Sequence, residues 1–277
     1  MKRIFVLTAI VVMAGLSFQS CSKDETEAAV VDQELLVANA QIDVSNEMDF
    51  DLGLDVASEQ DTYSSRNGVS SARTFPSCAT ISIENGTLGQ FPITFAVDFG
   101  TGCLHNGIVR SGIIRITFDD YLINFGSHMT ITRSNYYVNG RKIEGTVVYQ
   151  NQTTNAEVPK WSRTVTDGKL TTLTGSVFTF SGTRTVQQIE GVGTLTLGDN
   201  VYEVLSGTHT VNRPNGTSLT VTVVTPLIKK YACTYISQGQ LNLQGALLDG
   251  ILDYGDNTCD NLATYTHSNG VVYNVSL

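Results

Sequence analysis

Beyond Pro76 the apolar residues of this chain recur at every second position, and that period decides what the chain can build. Phe91, Ile93, Phe95 and Val97 alternate with Pro92, Thr94, Ala96 and Asp98, and Leu219, Val221 and Val223 alternate with threonines. Leu241, Leu243 and Leu247 share one face, and Val271, Tyr273, Val275 and Leu277 close the chain with the same alternation. Successive side chains of a strand point to opposite faces, so this pattern gives half-buried antiparallel strands with one apolar and one solvated side. Residues 76–277 carry 30 threonines, whose branched Cβ suits a pleated strand while the hydroxyl keeps a face wet. Asn85-Gly86, Asn106-Gly107, Asn139-Gly140, Asp167-Gly168, Asn215-Gly216 and Asn269-Gly270 interrupt the strand-like runs. Such pairs tolerate the positive φ of a tight hairpin. The expectation is an all-β domain over 76–277, an antiparallel meander of long hairpins with no helix inside it. Sandwich, barrel and strongly curved sheet remain open on pattern alone.

Four cysteines lie in that domain. Cys78-Ala-Thr-Ile-Ser leads to Asp98-Phe-Gly-Thr-Gly-Cys103, and Cys233-Thr-Tyr-Ile-Ser leads to Asp253-Tyr-Gly-Asp-Asn-Thr-Cys259. The two spacings are nearly equal, and each second cysteine follows an Asp-aromatic-Gly. This predicts two equivalent disulfides, Cys78–Cys103 and Cys233–Cys259, in an exported protein. No CxxC or Cys/His cluster has zinc spacing.

Ahead of the domain the composition changes. Residues 21–75 hold 12 acids against Lys23, Arg66 and Arg73, while residues 76–277 hold 14 acids against 12 bases. The acidity is thus assigned to a tether, and with no basic face to neutralise phosphates nucleic acid is an unfavourable partner. Val31, Leu35, Ala38 and Ile42 recur at helical spacing and predict a short helix over 27–44, whose narrow apolar stripe means that it either packs on the domain or stays only partly formed. Residues 57–75 lack periodicity and read as a flexible linker.

At the start, Lys2 and Arg3 precede an apolar run over residues 4–16, which suits a signal peptide over 1–20 and is short for a membrane span. Ser20 and Cys21 then resemble the lipobox of bacterial lipoproteins. That resemblance implies acylation of Cys21, with palmitate among the chains, and attachment to the outer membrane. Ser22, Lys23, Asp24 and Glu25 resemble the acidic signal that sends Bacteroidota lipoproteins to the cell surface. The cysteine-flanked segments, with Asp260, Asn261, Ala263, Thr264, Asn269, Gly270, Tyr273 and Val275, resemble a group of uncharacterised secreted lipoproteins of the Bacteroidota. That likeness covers most of residues 76–277 and implies a shared fold and no mechanism.

Catalytic signatures are missing: no GxSxG elbow, no HExxH and no GxxxxGK[ST] loop. His105, His128, His209 and His267 are isolated and read as strand or turn residues. Glu144, Glu190 and Glu203 are the carboxylates that a glycosidase pair would draw on. Asp249, Asp253, Asp256, Asp260 and Asn261 offer oxygen ligands of the kind calcium takes, but turn formation is the simpler account. Trp161, Tyr121, Tyr136, Tyr137 and Tyr149 are candidates for a sugar-stacking platform, with core packing favoured. The expectation is a non-enzymatic surface lipoprotein without cofactor or metal, held in the membrane by its lipid and binding a glycan or protein ligand. A carbohydrate-active enzyme and a carrier enclosing an apolar ligand such as lipid are the alternatives.

Overall fold

A computed structural model describes residues 31–64, 76–194 and 196–277. The expected signal peptide, Cys21 and the Ser22, Lys23, Asp24, Glu25 signal lie outside the described residues, as do positions 65–75 of the expected linker. One long helix, α1 (Gln33–Ser64), precedes fourteen strands. These are β1 (Thr80–Asn85), β2 (Ile93–Asp98), β3 (Cys103–His105), β4 (Ile108–Phe118), β5 (His128–Val138), β6 (Arg141–Asn151) and β7 (Lys160–Thr171). They continue as β8 (Val177–Glu190), β9 (Val201–Asn212), β10 (Ser218–Lys230), β11 (Gln238–Gly245), β12 (Leu248–Asp256), β13 (Leu262–His267) and β14 (Val272–Ser276). All join one antiparallel meander in which each strand pairs with its sequence neighbour, except that β2 and β3 line up against the two halves of β4. The sheet is left open between its edges, β1 and β14.

The predicted period two is what separates the two faces. Phe95, Ile116, Ile131, Val147 and Val165 stand opposite one another on β2, β4, β5, β6 and β7, and all are buried. One position along, the outward row runs Thr94, Thr117, Thr130, Val148, Thr164, Thr183, Thr208 and Thr222 across β2 to β10. Hydroxyls in that row meet across strands at 2.9 Å (Thr94–Thr117), 3.2 Å (Thr164–Thr183) and 3.3 Å (Thr208–Thr222). Cross-strand pairs of this kind contribute about 0.2–1 kcal/mol each.

The sheet's inward face wraps α1. Every residue of 38–50 is buried, and a helix buried on all sides over more than three turns has to be surrounded. Its partners lie on β4, β5, β7, β8, β9, β10 and β12. Asp32 caps the helix, its Oδ1 accepting from Leu35 N at 3.0 Å, and Arg213 clamps Asp32 and Glu34. Gly53 lets the helix approach β5: a Cβ there would lie 2.4 Å from Met129 Sδ.

This corrects the tether. The helix expected over 27–44, packed on the domain or partly formed, runs from Gln33 to Ser64, and most of it is enclosed in the core of the domain rather than lying on its surface or serving as a spacer. The acidity at 43–51 is likewise internal. Asp49 meets Arg110 (2.9 Å) and Arg133 (2.7 Å), Glu47 meets Arg163 (2.5 Å), Asp43 meets Arg184 (2.7 Å) and Asp51 meets Lys229 (2.6 Å). Charges buried this way require partners, since an unpaired ion in a low-dielectric interior is strongly destabilising.

Asp167-Gly168 is also corrected. It lies within β7 as a bulge and forms no hairpin turn. Asp167 has φ +51°, and an added Cβ on Gly168 would sit 2.5 Å from the carbonyl oxygen of Phe180, so only glycine fits. The pairs Asn106-Gly107, Asn139-Gly140 and Asn269-Gly270 do connect consecutive strands. Cys78 pairs with Cys103 and Cys233 with Cys259, at Cα–Cα separations of 5.4 and 5.3 Å.

Candidate functional site

Beside the C-terminal half of α1 lie residues of three connections between strands, 119–127, 152–159 and the described residues 191–194 and 196–200. Long connections are where rigid scaffolds carry their variable, functional surface. Here they enclose, with Leu54 and Ala57 of the helix, a cavity of about 440 Å³. Its walls include Phe118, Tyr121, Leu122, Pro159, Trp161, Leu197 and Tyr202, and no Asp, Glu, Lys, Arg or His is among the described lining residues. Ile123, 74 % exposed, and Val192 mark where it reaches the surface, and Phe125, 72 % exposed, is next to that rim.

One wall of the cavity is tied to the sheet by hydrogen bonds. The Asn151 Nδ2 donates to the carbonyl of Leu122 at 2.7 Å, and the backbones of Asn151 and Ser127 are joined at 2.9 Å. That locks the 119–127 connection onto the end of β6. Trp161 and Tyr202 belong to an aromatic cluster around Phe50 of the helix, with ring centroids 6.1 and 5.2 Å from it, and Tyr149 stacks on Phe50 at 4.6 Å. Asn200 donates from Nδ2 to the Tyr202 hydroxyl at 2.8 Å. Burial pushes the Tyr202 phenol above its ordinary range, so it stays neutral. Asn200 is a lining residue, but its Oδ1, buried without a hydrogen-bond partner, packs against Gly191, where an added Cβ would lie 2.3 Å from it, and is not open to the cavity. An unpaired buried acceptor costs about 1–3 kcal/mol unless something donates to it.

A second, smaller cavity of about 130 Å³ lies between the β3–β4 hairpin and the turn after β10, with Asp51, Asp55, His105, Arg110 and Tyr231 around it. Burial pushes the Asp51 carboxyl up to about 7 against the pull of Lys229, and Asp55 accepts a hydrogen bond from the Tyr231 hydroxyl.

The residues singled out from sequence are scattered by the fold. Glu144 is held by Lys142 at 3.0 Å and Lys169 at 2.8 Å; Glu203 accepts from Gln187 on the neighbouring strand, and Glu190 ends β8. The three do not converge: Glu144 lines a separate open groove with Asp167, Lys169 and Asn212, and neither Glu190 nor Glu203 lines that groove or the two cavities. His128 pairs with Asp119, His267 with the Tyr265 hydroxyl, and His209 is buried against α1. Asp253, Asp256 and Asp260 each accept a hydrogen bond from a residue two positions on, the geometry of turn formers. No group of three metal-ligating side chains occurs among the described residues. Tyr136 and Tyr149 point inward, to Asp49 and Phe50, and Tyr137 is half-buried, so these tyrosines form no sugar platform.

Of the cavity walls, only Trp161 and Tyr121 were singled out from sequence. Leu54, Ala57, Ile123, Asn200 and Tyr202 were not. The signal available for part of the rim was bulky apolar residues, Ile123, Phe125 and Val192, in connections where polar residues are the rule. No protein-family model, no curated protein and no solved structure matches this chain.

Proposed function

We propose that this protein is a lipid-anchored lipoprotein of the outer membrane that displays a small-molecule binding site outward and carries out no catalysis. The observation that carries this reading is the uncharged, aromatic-walled cavity at the far end of α1. Its volume falls in the range of cavities that bury most of a small ligand.

The position of the cavity agrees with an anchor at Cys21. That residue is twelve positions before Gln33 in sequence. Leu54 lies about 30 Å further along the helix, at 1.5 Å per residue. The acidic run after Cys21 fits display to the exterior. Exposed Ile123 and Phe125 add an apolar landing surface at the mouth.

Trp161 is the sole tryptophan and lines the cavity, so its emission reports occupancy directly. Titrating the full chain with a panel of neutral apolar and amphiphilic compounds should quench or blue-shift that emission saturably. The signal should vanish in Ala57→Phe, which fills the cavity from the helix. A panel that leaves the emission unchanged, or turnover of an added polysaccharide or ester, would remove this reading. Incorporation of labelled fatty acid into the wild type and not into Cys21→Ala tests the anchor separately.

A further inference from the structure

Polar side chains of the cavity wall are bonded within the protein. Asn151 donates to the carbonyl of Leu122 and accepts from the backbone N–H of Thr153, both at 2.7 Å. The Thr153 hydroxyl sits between the N–H and the carbonyl of Lys160, at 2.9 and 3.3 Å. Gln188 Nε2 donates to the carbonyl of Glu190 at 3.1 Å, and Trp161 Nε1 to that of Leu122 at 3.4 Å. No ionised side chain is among the described lining residues, so hydrocarbon is what this interior rewards. The connections around it have a different character. Residues 119–127, 152–159, 191–194 and 196–200 hold Asp119, Asp120, Glu157 and Asp199 and no lysine or arginine. Asp120 adjoins Tyr121 in sequence, Glu157 adjoins Ala156 and Asp199 adjoins Asn200, and all three neighbours line the cavity. Asp119 is bonded to His128, but among the described residues Asp120 and Asp199 bond only to the Tyr121 N–H and the Thr196 hydroxyl. Lys160, the first residue of β7, alternates with inward Trp161 and so faces the other side of the sheet.

From this we infer that the ligand is a single-chain amphiphile with a cationic head, its hydrocarbon tail in the cavity and its head in the water at the mouth, among the carboxylates. The inference rests on the cavity being the binding site. Tail and head follow from different observations. The aromatic and aliphatic walls, with their polar groups engaged, favour a tail that asks for no hydrogen bond. Size follows from volume: at the ~30 Å³ of liquid that one water occupies, 440 Å³ accommodates roughly 15 non-hydrogen atoms. An ion of either sign drawn inside would lose its hydration with nothing of opposite charge to meet it, so the head stays outside. There the connections carry carboxylates that no lysine or arginine of the same segments offsets, and these attract a cation and repel an anion. Salt weakens that selection, because the field of exposed charges decays over about 10 Å in 0.1 M salt.

The test compares n-decylammonium, n-decanol and n-decanoate at neutral pH, each below its micellar concentration and each read by Trp161 emission on the full chain. In low salt the ammonium should bind about tenfold tighter than decanoate, with the alcohol between them, the scale that a few exposed ion pairs supply. In about 0.5 M salt the gap should shrink to about twofold. The triple variant Asp120→Asn/Glu157→Gln/Asp199→Asn removes three charges and keeps an acceptor at each position. It should erase the gap and leave the affinity for decanol unchanged, and the salt series tests the same charges without any variant. Ala57→Phe should abolish binding of all three probes. Ammonium binding that persists in it would be adsorption to the acidic surface and would overturn the inference. So would a gap that survives the triple variant or high salt, or an alcohol that binds tighter than both ions, which would place the head inside. If decanol binds and the sign of the head makes no difference, the cavity stands and the cationic head falls. If no compound of any class moves Trp161, both fall together.

Discussion

The Arg184 guanidinium donates to Nδ1 of His209 at 2.8 Å, which leaves His209 to donate from Nε2 to Asn39 Oδ1 at 2.8 Å. An arginine has no lone pair to offer, so Nδ1 must carry one, and the imidazole between β8, β9 and α1 is neutral. Burial, with Arg184 and Arg163 nearby, holds its pKa well below the ordinary histidine range. Asp43, which binds the other side of Arg184, ties this imidazole to the helix.

This fixes the sign of one pH effect. The unfolded chain binds a proton at His209 below about pH 6.5, and the folded one does not. The stability contributed by the neutral imidazole is therefore complete above that value and is lost as pH falls. Urea denaturation from pH 7.5 down to 5 should show the midpoint falling, and His209→Gln should flatten the part that histidine causes. A difference curve between the two proteins without slope would refute the assignment.

Asp51 gives the opposite sign. Burial raises its carboxyl from 3.8 to about 7 although Lys229 Nζ lies 2.6 Å from Oδ2, and its Oδ1 is buried without a partner. Between those values the folded state holds a proton that the unfolded state has released. Its contribution is full below about pH 4 and is lost as pH rises through 7. Asp51→Asn should remove that decline, because Lys229 keeps the carbonyls of Lys230 and Cys233 at 2.9 and 2.7 Å. Retention of the decline in the variant would place its origin elsewhere.

The strands were legible because their alternation is local: Phe95 and Val97 reveal an inward face whatever they pair with. The helix was legible only in part, for a physical reason. Its acids look like a solvated face until their partners are known, and those partners are far along the chain. Asp43 is 141 residues from Arg184, Glu47 is 116 from Arg163, and Asp49 is 61 from Arg110. A narrow apolar stripe flanked by charges describes a free amphipathic helix and an enclosed, charge-paired one equally well. The cavity had the same difficulty, since Leu54, Trp161 and Tyr202 meet only after the sheet has curled around α1.

The contact between Gly53 and Met129 is a direct test of that enclosure. Alanine is a better helix former than glycine by about 1 kcal/mol, so on a free helix Gly53→Ala would stabilise. Here its Cβ would lie 2.4 Å from Sδ of Met129, the far end of a flexible side chain, so Met129 must shift within the core and that shift should offset the gain. Gly53→Ala combined with Met129→Ala should be clearly less destabilising than the sum of the two single changes, with coupling near 1 kcal/mol or more. Additive effects would mean that the helix does not lie against β5.

Asp49 is the most heavily used charge on the helix. It accepts from Arg110 at 2.9 Å, from Arg133 Nε at 2.8 Å and from the Tyr136 hydroxyl at 3.1 Å, while Arg110 also donates to that hydroxyl at 2.7 Å. Arg110 further lies over the Phe99 ring at 4.2 Å, so the group links α1, β4, β5 and the Asp-Phe-Gly turn after β2. Removing one carboxylate leaves two buried guanidiniums without their counter-ion, and Asp49→Ala should cost about 3–5 kcal/mol. The same change in a solvated tether would cost almost nothing, since exposed ion pairs contribute about 0–1 kcal/mol. Asp49→Asn keeps an acceptor and loses the charge, and it should fall between wild type and alanine. Denaturation midpoints in that order support a charge-locked core helix, whereas three equal midpoints would return residues 43–51 to the solvent.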